Sequence, residues 1–199
     1  YDTICHEHLE YYSLKSLKYL LDKAGLKIIN LSFNQINGGS IEVDIVKKKS
    51  KFKECKHLIN WVLKSEQLNR YNEIEKHKQF FKECQNHKIL LKELLITLKK
   101  QNKKIIGYGA STKGNVLLQY CNIDSKLLNY ISEVNKFKFG KYTPGSNIKI
   151  ISEKEAKLKK PDYMLVLPWH FKDHILQRER TFLKNGGKLI FPLPDIEII

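Results

Sequence analysis

Apolar positions recur at three- and four-residue spacing over some stretches of this chain and at alternate positions over others. Leu14, Leu17, Leu20 and Leu21 mark one helix face, which Ser13 can cap and Gly25 would end. Leu26 to Phe33 reads as a strand and Gln35 to Gly39 as a turn. Ile41, Val43 and Ile45 alternate with Glu42 and Asp44, as in a half-buried partner strand. From about 51 to 102 the period is helical. Phe52, Cys55, Leu58, Ile59, Val62 and Leu63 mark one face. Ile74, Phe80, Phe81, Leu90, Leu91, Leu94, Leu95 and Leu98 mark a second, longer one.

After Lys104 short apolar runs alternate with helical stretches. Ile105–Ala110, Leu127–Val134, Ile148–Ile151, Tyr163–Leu167 and Leu189–Pro192 read as strands. A helix carrying Val116, Leu117, Leu118 and Tyr120 follows the first of them. Ser152 and Glu155 form a capping box for another, and His170–Leu183 reads as one helix stopped by Asn185-Gly186-Gly187. Repeated strand–helix units predict an α/β fold with a Rossmann-like parallel sheet in the C-terminal part. The long helices precede it, and a helix and β-hairpin precede them. A helix with one hairpin has too little core to stand alone and needs a sheet to join.

The 199 residues are 42% hydrophobic, enough for a packed core. No apolar run is long enough for a membrane helix. Cys5, Cys55, Cys84 and Cys121 are scattered without a framework spacing, which suggests free thiols in a reducing cytoplasm. The formal charge of +15 would attract polyanions. Its lysines are dispersed, however, and no nucleic-acid-binding signature accompanies them. A solvated basic surface is therefore expected, with neither nucleic acid nor membrane as partner.

Two stretches carry candidate chemistry. In Cys5-His6-Glu7-His8 two imidazoles flank a carboxylate, the equipment of a general base. The same residues could merely enter a helix. They could also begin a metal site, but no second ligand pair follows at zinc-like spacing. In Gly107-Tyr108-Gly109-Ala110-Ser111-Thr112-Lys113-Gly114, a glycine-rich turn joins a strand to a helix N-terminus, where backbone N–H groups can hold an anion. Only the first half of the dinucleotide fingerprint is present, because Thr112 stands at the third glycine's place. Glu133 closes the next strand, near where a ribose-binding acid would sit. Tyr142-Thr143-Pro144-Gly145 and Pro168-Trp169-His170 are expected as loops at C-terminal strand ends, where open α/β sheets bind ligands.

The opening motif, with Gly38-Gly39-Ser40, Gly107-Tyr108-Gly109-Ala110, Lys113-Gly114-Asn115, Pro144-Gly145 and Leu167-Pro168-Trp169 in the same order, resembles the C-terminal part of the sugar-nucleotide C-methyltransferases. These enzymes use S-adenosylmethionine and act on keto-deoxysugars. The resemblance implies three regions. Residues 1–50 would be the tail of a SAM-binding methyltransferase domain whose body lies upstream in the same chain. Residues 51–102 would be a helical bridge, and 103–199 a Rossmann-like substrate-binding domain. His8 falls on the family's general base, Glu7 on its neighbouring acid and His6 on an orienting position. Cys5 stands where tyrosine is common, which leaves O-methylation open beside C-methylation. The nucleotide-sugar substrate would meet Asn37, Gly38, Gly39, Ser111, Thr112, Lys113, Tyr142, Trp169 and His170. No metal is implied. SAM would serve the complete cytoplasmic protein, and the fragment alone would be inactive. The competing readings are a non-catalytic nucleotide-sugar-binding module and a basic nucleic-acid-binding protein.

Overall fold

The computed structural model describes residues 1–199, with the side chain of Asn37 outside the described part. By internal contacts the chain forms two compact units. One is 8–82; the other joins 1–7 to 83–199.

The smaller unit contains helix α1 (Leu14–Lys23), the strands β1 (Leu26–Asn34) and β2 (Ser40–Lys47), helix α2 (Lys56–Leu68) and the first turns of α3 (Ile74–Lys100). Ser13 caps α1 as expected, its hydroxyl accepting the Ser16 N–H at 3.2 Å. Glu66, buried on α2, accepts the next two free amides, Leu14 N–H at 2.5 Å and Lys15 N–H at 3.1 Å. Three of the four amides that a helix start leaves unpaired are thus satisfied. Gly25, at φ +70°, turns the chain into β1. β1 and β2 pair antiparallel from Leu26 opposite Lys47 to Asn34 opposite Ser40, with an irregularity near Ile29. The core is small: Leu14, Leu21, Ile28, Leu31, Ile59 and Val62.

The larger unit is built on a six-stranded sheet ordered β5-β4-β3-β6-β7-β8. Its strands are β3 (Ile105–Tyr108), β4 (Tyr130–Glu133), β5 (Lys149–Ser152), β6 (Tyr163–Val166), β7 (Lys188–Phe191) and β8 (Glu197–Ile198). The first five are mutually parallel and β8 is antiparallel. Helices α4 (Thr112–Tyr120), α5 (Glu153–Leu158), α6 (Lys172–Arg178) and α7 (Arg180–Lys184) make the connections. This is the expected Rossmann-like α/β architecture.

The two-residue side-chain period of a strand sorts the sheet's apolar residues onto two faces. Ile105, Leu165 and Ile190 pack in one core with Leu91, Leu95 and Leu98 of α3 and Leu117 of α4. Their neighbours Ile106, Met164, Val166, Leu189 and Phe191 pack in the other with Ala156 of α5 and Ile175 of α6. Full burial of one such side chain is worth about 1.5–3 kcal/mol, so each face contributes substantially. At Gly107, mid-sheet, an added Cβ would lie 2.7 Å from Ile131 Cγ1, so only glycine lets β3 and β4 approach this closely.

Three expectations from the sequence need correction. β4 starts at Tyr130 rather than Leu127, because residues 124–128 form a turn closed by Leu128 N–H to the Asp124 carbonyl. The helix expected over 170–183 is divided. Residues 169–171 form a single 3₁₀ turn, and Glu179 separates α6 from α7. Glu179 is buried and accepts the Tyr108 hydroxyl at 3.1 Å, with Arg178 Nε 3.9 Å away. Burial and that carboxylate push the Tyr108 phenol well up, so it stays a hydrogen-bond donor. β8 was not foreseen, being only two residues long.

Candidate functional site

The order β4-β3-β6 places the topological switch between β3 and β6, the first strand and the one that begins the return. Two turns leave the sheet side by side there: Gly109-Ala110-Ser111 after β3, and Leu167-Pro168-Trp169 after β6. Gly109 adopts φ +79°, and a Cβ on it would stand 2.8 Å from Pro168. The two turns therefore touch, and glycine is what permits it. Ser111 caps α4 by accepting the Gly114 N–H at 3.0 Å.

The structure brings Ser111, Thr112 and Lys113 together with Trp169 and His170 at this switch. The Trp169 ring stands nearly perpendicular to that of His170, with centroids 5.8 Å apart. His170 Nδ1 is buried and, among the described residues, makes no hydrogen bond. Burial, and then the Lys113 ammonium, lower the His170 pKa; Asp2 opposes them. A depressed imidazole favours the form that binds fewer protons, so the folded state disfavours charging it. Between its ordinary pKa of 6.5 and its lowered value the unfolded chain binds more protons. Stability is thus fully present above that window and is lost as pH falls through it. Melting temperature should drop more steeply below pH 6.5 in the parent than in His170→Gln, and identical slopes would contradict the assignment.

Tyr142 is not part of this gathering. Residues 140–142 run antiparallel to the start of β5, through Gly140 N–H to the Ile150 carbonyl and a Tyr142–Lys149 bridge. Gln119, at the far end of α4, donates to the Pro144 carbonyl at 3.0 Å. The loop expected at a C-terminal strand end therefore enters β5 at its N-terminal end. The reason is local. Thr143 and Ser146 are buried and close the loop on Ile148 N–H.

Glu133 is the acid nearest the place of a ribose ligand, and it is already engaged. One oxygen accepts Ala110 N–H at 2.8 Å; the other accepts Val134 and Asn135 N–H at 2.8 and 2.9 Å. Lys138 stands 3.8 Å away and donates to the Ala110 carbonyl at 2.7 Å. The carboxylate staples the glycine turn to the end of β4. Beside it lies a cleft of about 280 Å³ reaching Ser111, Pro168, His174 and Arg178. His174 and Arg178 lie one helical turn apart on α6, a spacing that the sequence carries but that marks no ligand by itself. Arg178 grips Glu153 with one nitrogen, at 2.5 and 2.6 Å.

The opening motif lies on an irregular segment ahead of α1. Cys5 is partly exposed, and His6, Glu7 and His8 are exposed. His6 Nε2 is 3.9 Å from Glu7 Oε1. The division between units falls between Glu7 and His8. In the smaller unit Gly38 and Gly39 end the turn between β1 and β2, while the Asn37 side chain is outside the described residues. That unit also carries a cleft of about 490 Å³ lined by Tyr11, Tyr12, Phe33, Trp61, Tyr71 and Phe80 among others. Composition had not marked Trp61 and Tyr71 as a lining, because their convergence is tertiary.

All four cysteines are free thiols, and no described helix is long and apolar enough to cross a membrane. Among the described residues, no three His, Cys, Asp or Glu side chains gather as metal ligands.

Residues 35–194 match the family described as the C-methyltransferase C-terminal domain. The whole chain aligns with C-methyltransferase NovU of Streptomyces niveus at 33% identity over 199 residues. It spans 47% of that relative's length. A Rossmann-like sheet whose glycine turn meets the Pro-Trp turn at the switch point, preceded by an exposed His-Glu-His segment, accords with both matches: the chain belongs to the C-methyltransferase C-terminal domain family.

Proposed function

We propose that this chain is the C-terminal portion of a SAM-dependent C-methyltransferase that acts on a keto-deoxysugar nucleotide. The observation that carries the reading is the Glu7-His8 pair, solvent-exposed and outside any helix or strand, in a chain of this family. Imidazole is the side chain most often used as a general base. His8 would take the proton beside the sugar ketone. Glu7 would steady the resulting imidazolium, and His6 would orient Glu7 from 3.9 Å. Ser111, Thr112, Lys113, Trp169 and His170 would hold the nucleotide-sugar at the switch point, with α4's N-terminal amides facing its diphosphate.

S-adenosylmethionine does not fit the residues described here. The glycine turn has the form of half a nucleotide site, but its acid, Glu133, is committed to three backbone amides. Delivery of the methyl group is therefore assigned to the upstream part of the whole protein. The hairpin of the smaller unit supports that division. It leaves Phe33 and Ile41 exposed, and α2 of the same unit leaves Trp61 exposed, as the tail of a larger sheet domain would when viewed alone. Residues 1 to about 50 are read as that tail, of which 1–7 pack with the larger unit, 51–102 as the bridge and 103–199 as the substrate-binding domain.

Thermal-shift measurements on this chain test the binding half. Deoxynucleoside diphosphates should raise its melting temperature, by about 2.7 kcal/mol of added stability at one hundred times Kd. SAM should leave it unchanged. A steeply salt-dependent shift with oligonucleotides, and none with nucleoside diphosphates, would replace this reading with nucleic-acid binding.

A further inference from the structure

The first two residues of the chain, Tyr1 and Asp2, are more buried than the motif that follows them. Asp2 is only 5% exposed, and it accepts the Trp169 indole N–H at 2.7 Å. Tyr1 packs its ring 4.8 Å from Tyr120 and 5.5 Å from His87. Its hydroxyl lies 2.7 Å from His87 Nδ1 and 3.4 Å from Cys121 Sγ. The other ring nitrogen of His87 is 2.5 Å from the Pro192 carbonyl. A carbonyl can only accept, so Nε2 of His87 carries the proton and Nδ1 receives the Tyr1 hydroxyl. By contrast the His6 and Glu7 side chains are 86% and 67% exposed.

A short, stiff link joins the held part to the exposed part. Ile4 N–H bonds the Tyr1 carbonyl at 3.1 Å, and Cys5 N–H the Thr3 carbonyl at 3.0 Å. Trp169, the partner of Asp2, stands on the turn that leaves β6 at the switch point, next to His170. A carboxylate buried against an indole, five positions before the candidate acid, ties that acid's segment to the same turn that lines the candidate sugar site.

We propose that Asp2 is a positioning residue: through its hydrogen bond to Trp169 it fixes the Cys5-His6-Glu7 segment against the turn after β6, so that Glu7 keeps a set place beside the substrate loops. The inference rests on the reaction proposed above. Asp2 touches no reacting atom. Its effect is on geometry, and misplacement of a catalytic group by about 1 Å can cost as much as 100-fold in rate.

The test uses the full-length methyltransferase with Asp2→Ala, Asp2→Asn, Trp169→Phe and the Asp2→Ala/Trp169→Phe double variant. Asp2→Ala should lower kcat by about 10- to 100-fold with KM for the sugar nucleotide little changed. The double variant should be no worse than the poorer single one, because both changes remove one bond. Asp2→Asn keeps an acceptor oxygen for the indole and should recover most of the lost kcat. Backbone hydrogen–deuterium exchange over Tyr1–Glu7 reads the same contact without turnover and should quicken in Asp2→Ala. Parental kcat with parental exchange in that variant would overturn the assignment. So would losses that multiply in the double variant. A kcat that merely follows melting temperature, with Asp2→Asn no better than Asp2→Ala, would leave Asp2 a stability residue and also overturn it. If the parent itself transfers no methyl group, the reaction reading fails. Unchanged exchange in Asp2→Ala would then refute the clasp separately.

Discussion

His8→Ala in the full-length protein should abolish two activities at once: exchange of the substrate's α-hydrogen with deuterated solvent, and transfer of the methyl group. General-base removal lowers rates by about 10²–10⁴-fold, and both activities pass through the same proton abstraction. SAM affinity should be unaffected, because the function proposed above places its site in the upstream part of the whole protein. The measurement is NMR of the sugar nucleotide in D₂O alongside methyl-transfer kinetics. Normal exchange with lost transfer would move the base elsewhere and leave His8 with a later role. Normal turnover would reject the assignment altogether. His8 is exposed in an irregular segment, so the protein should stay folded on its truncation.

Glu133→Ala should have the largest effect on stability. The carboxylate is buried and accepts three backbone amides, with a lysine nearby. Hydrogen bonds to a charged group are each worth about 1.5–3 kcal/mol, and the amides of Ala110, Val134 and Asn135 would lose their acceptor. Water can reach part of the site after truncation, so the net loss expected is about 3–5 kcal/mol rather than the full sum. Urea denaturation of the ligand-free chain measures it. The same experiment separates two roles for this acid. A staple destabilises the free protein, whereas a ribose ligand would leave free stability intact and weaken only nucleotide binding.

That residue also shows where reading from sequence stops. Glu133 stands at the right distance from the glycine turn for either role, and spacing cannot distinguish them. What decides is the path of the turn: Gly109 at φ +79° sends Ala110 N–H toward the carboxylate rather than toward a ligand. The place of the Tyr142 loop was hidden for a related reason. Tyr-Thr-Pro-Gly signals a turn at either end of a strand equally well. Only the antiparallel contact of 140–142 with the start of β5 shows which end it occupies. The divided helix after β6 was equally hidden, since the apolar period runs on through Glu179. The burial of that one carboxylate against Tyr108 interrupts it.

By itself the amino-acid order determined whatever depends on neighbours within a few residues. The caps at Ser13 and Ser152, the turn at Gly25, and the sorting of Ile105 from Ile106 onto opposite faces all follow from local periodicity and side-chain reach. The His-Glu-His stretch could be singled out for the same reason, being made of consecutive residues. Tertiary structure alone decided which distant groups meet: Asp2 with Trp169, Tyr1 with His87 and Cys121, and Tyr108 with Glu179. Those pairs are 71 to 167 positions apart. No local signal specifies them, because their hydrogen bonds exist only once the sheet has closed the chain on itself.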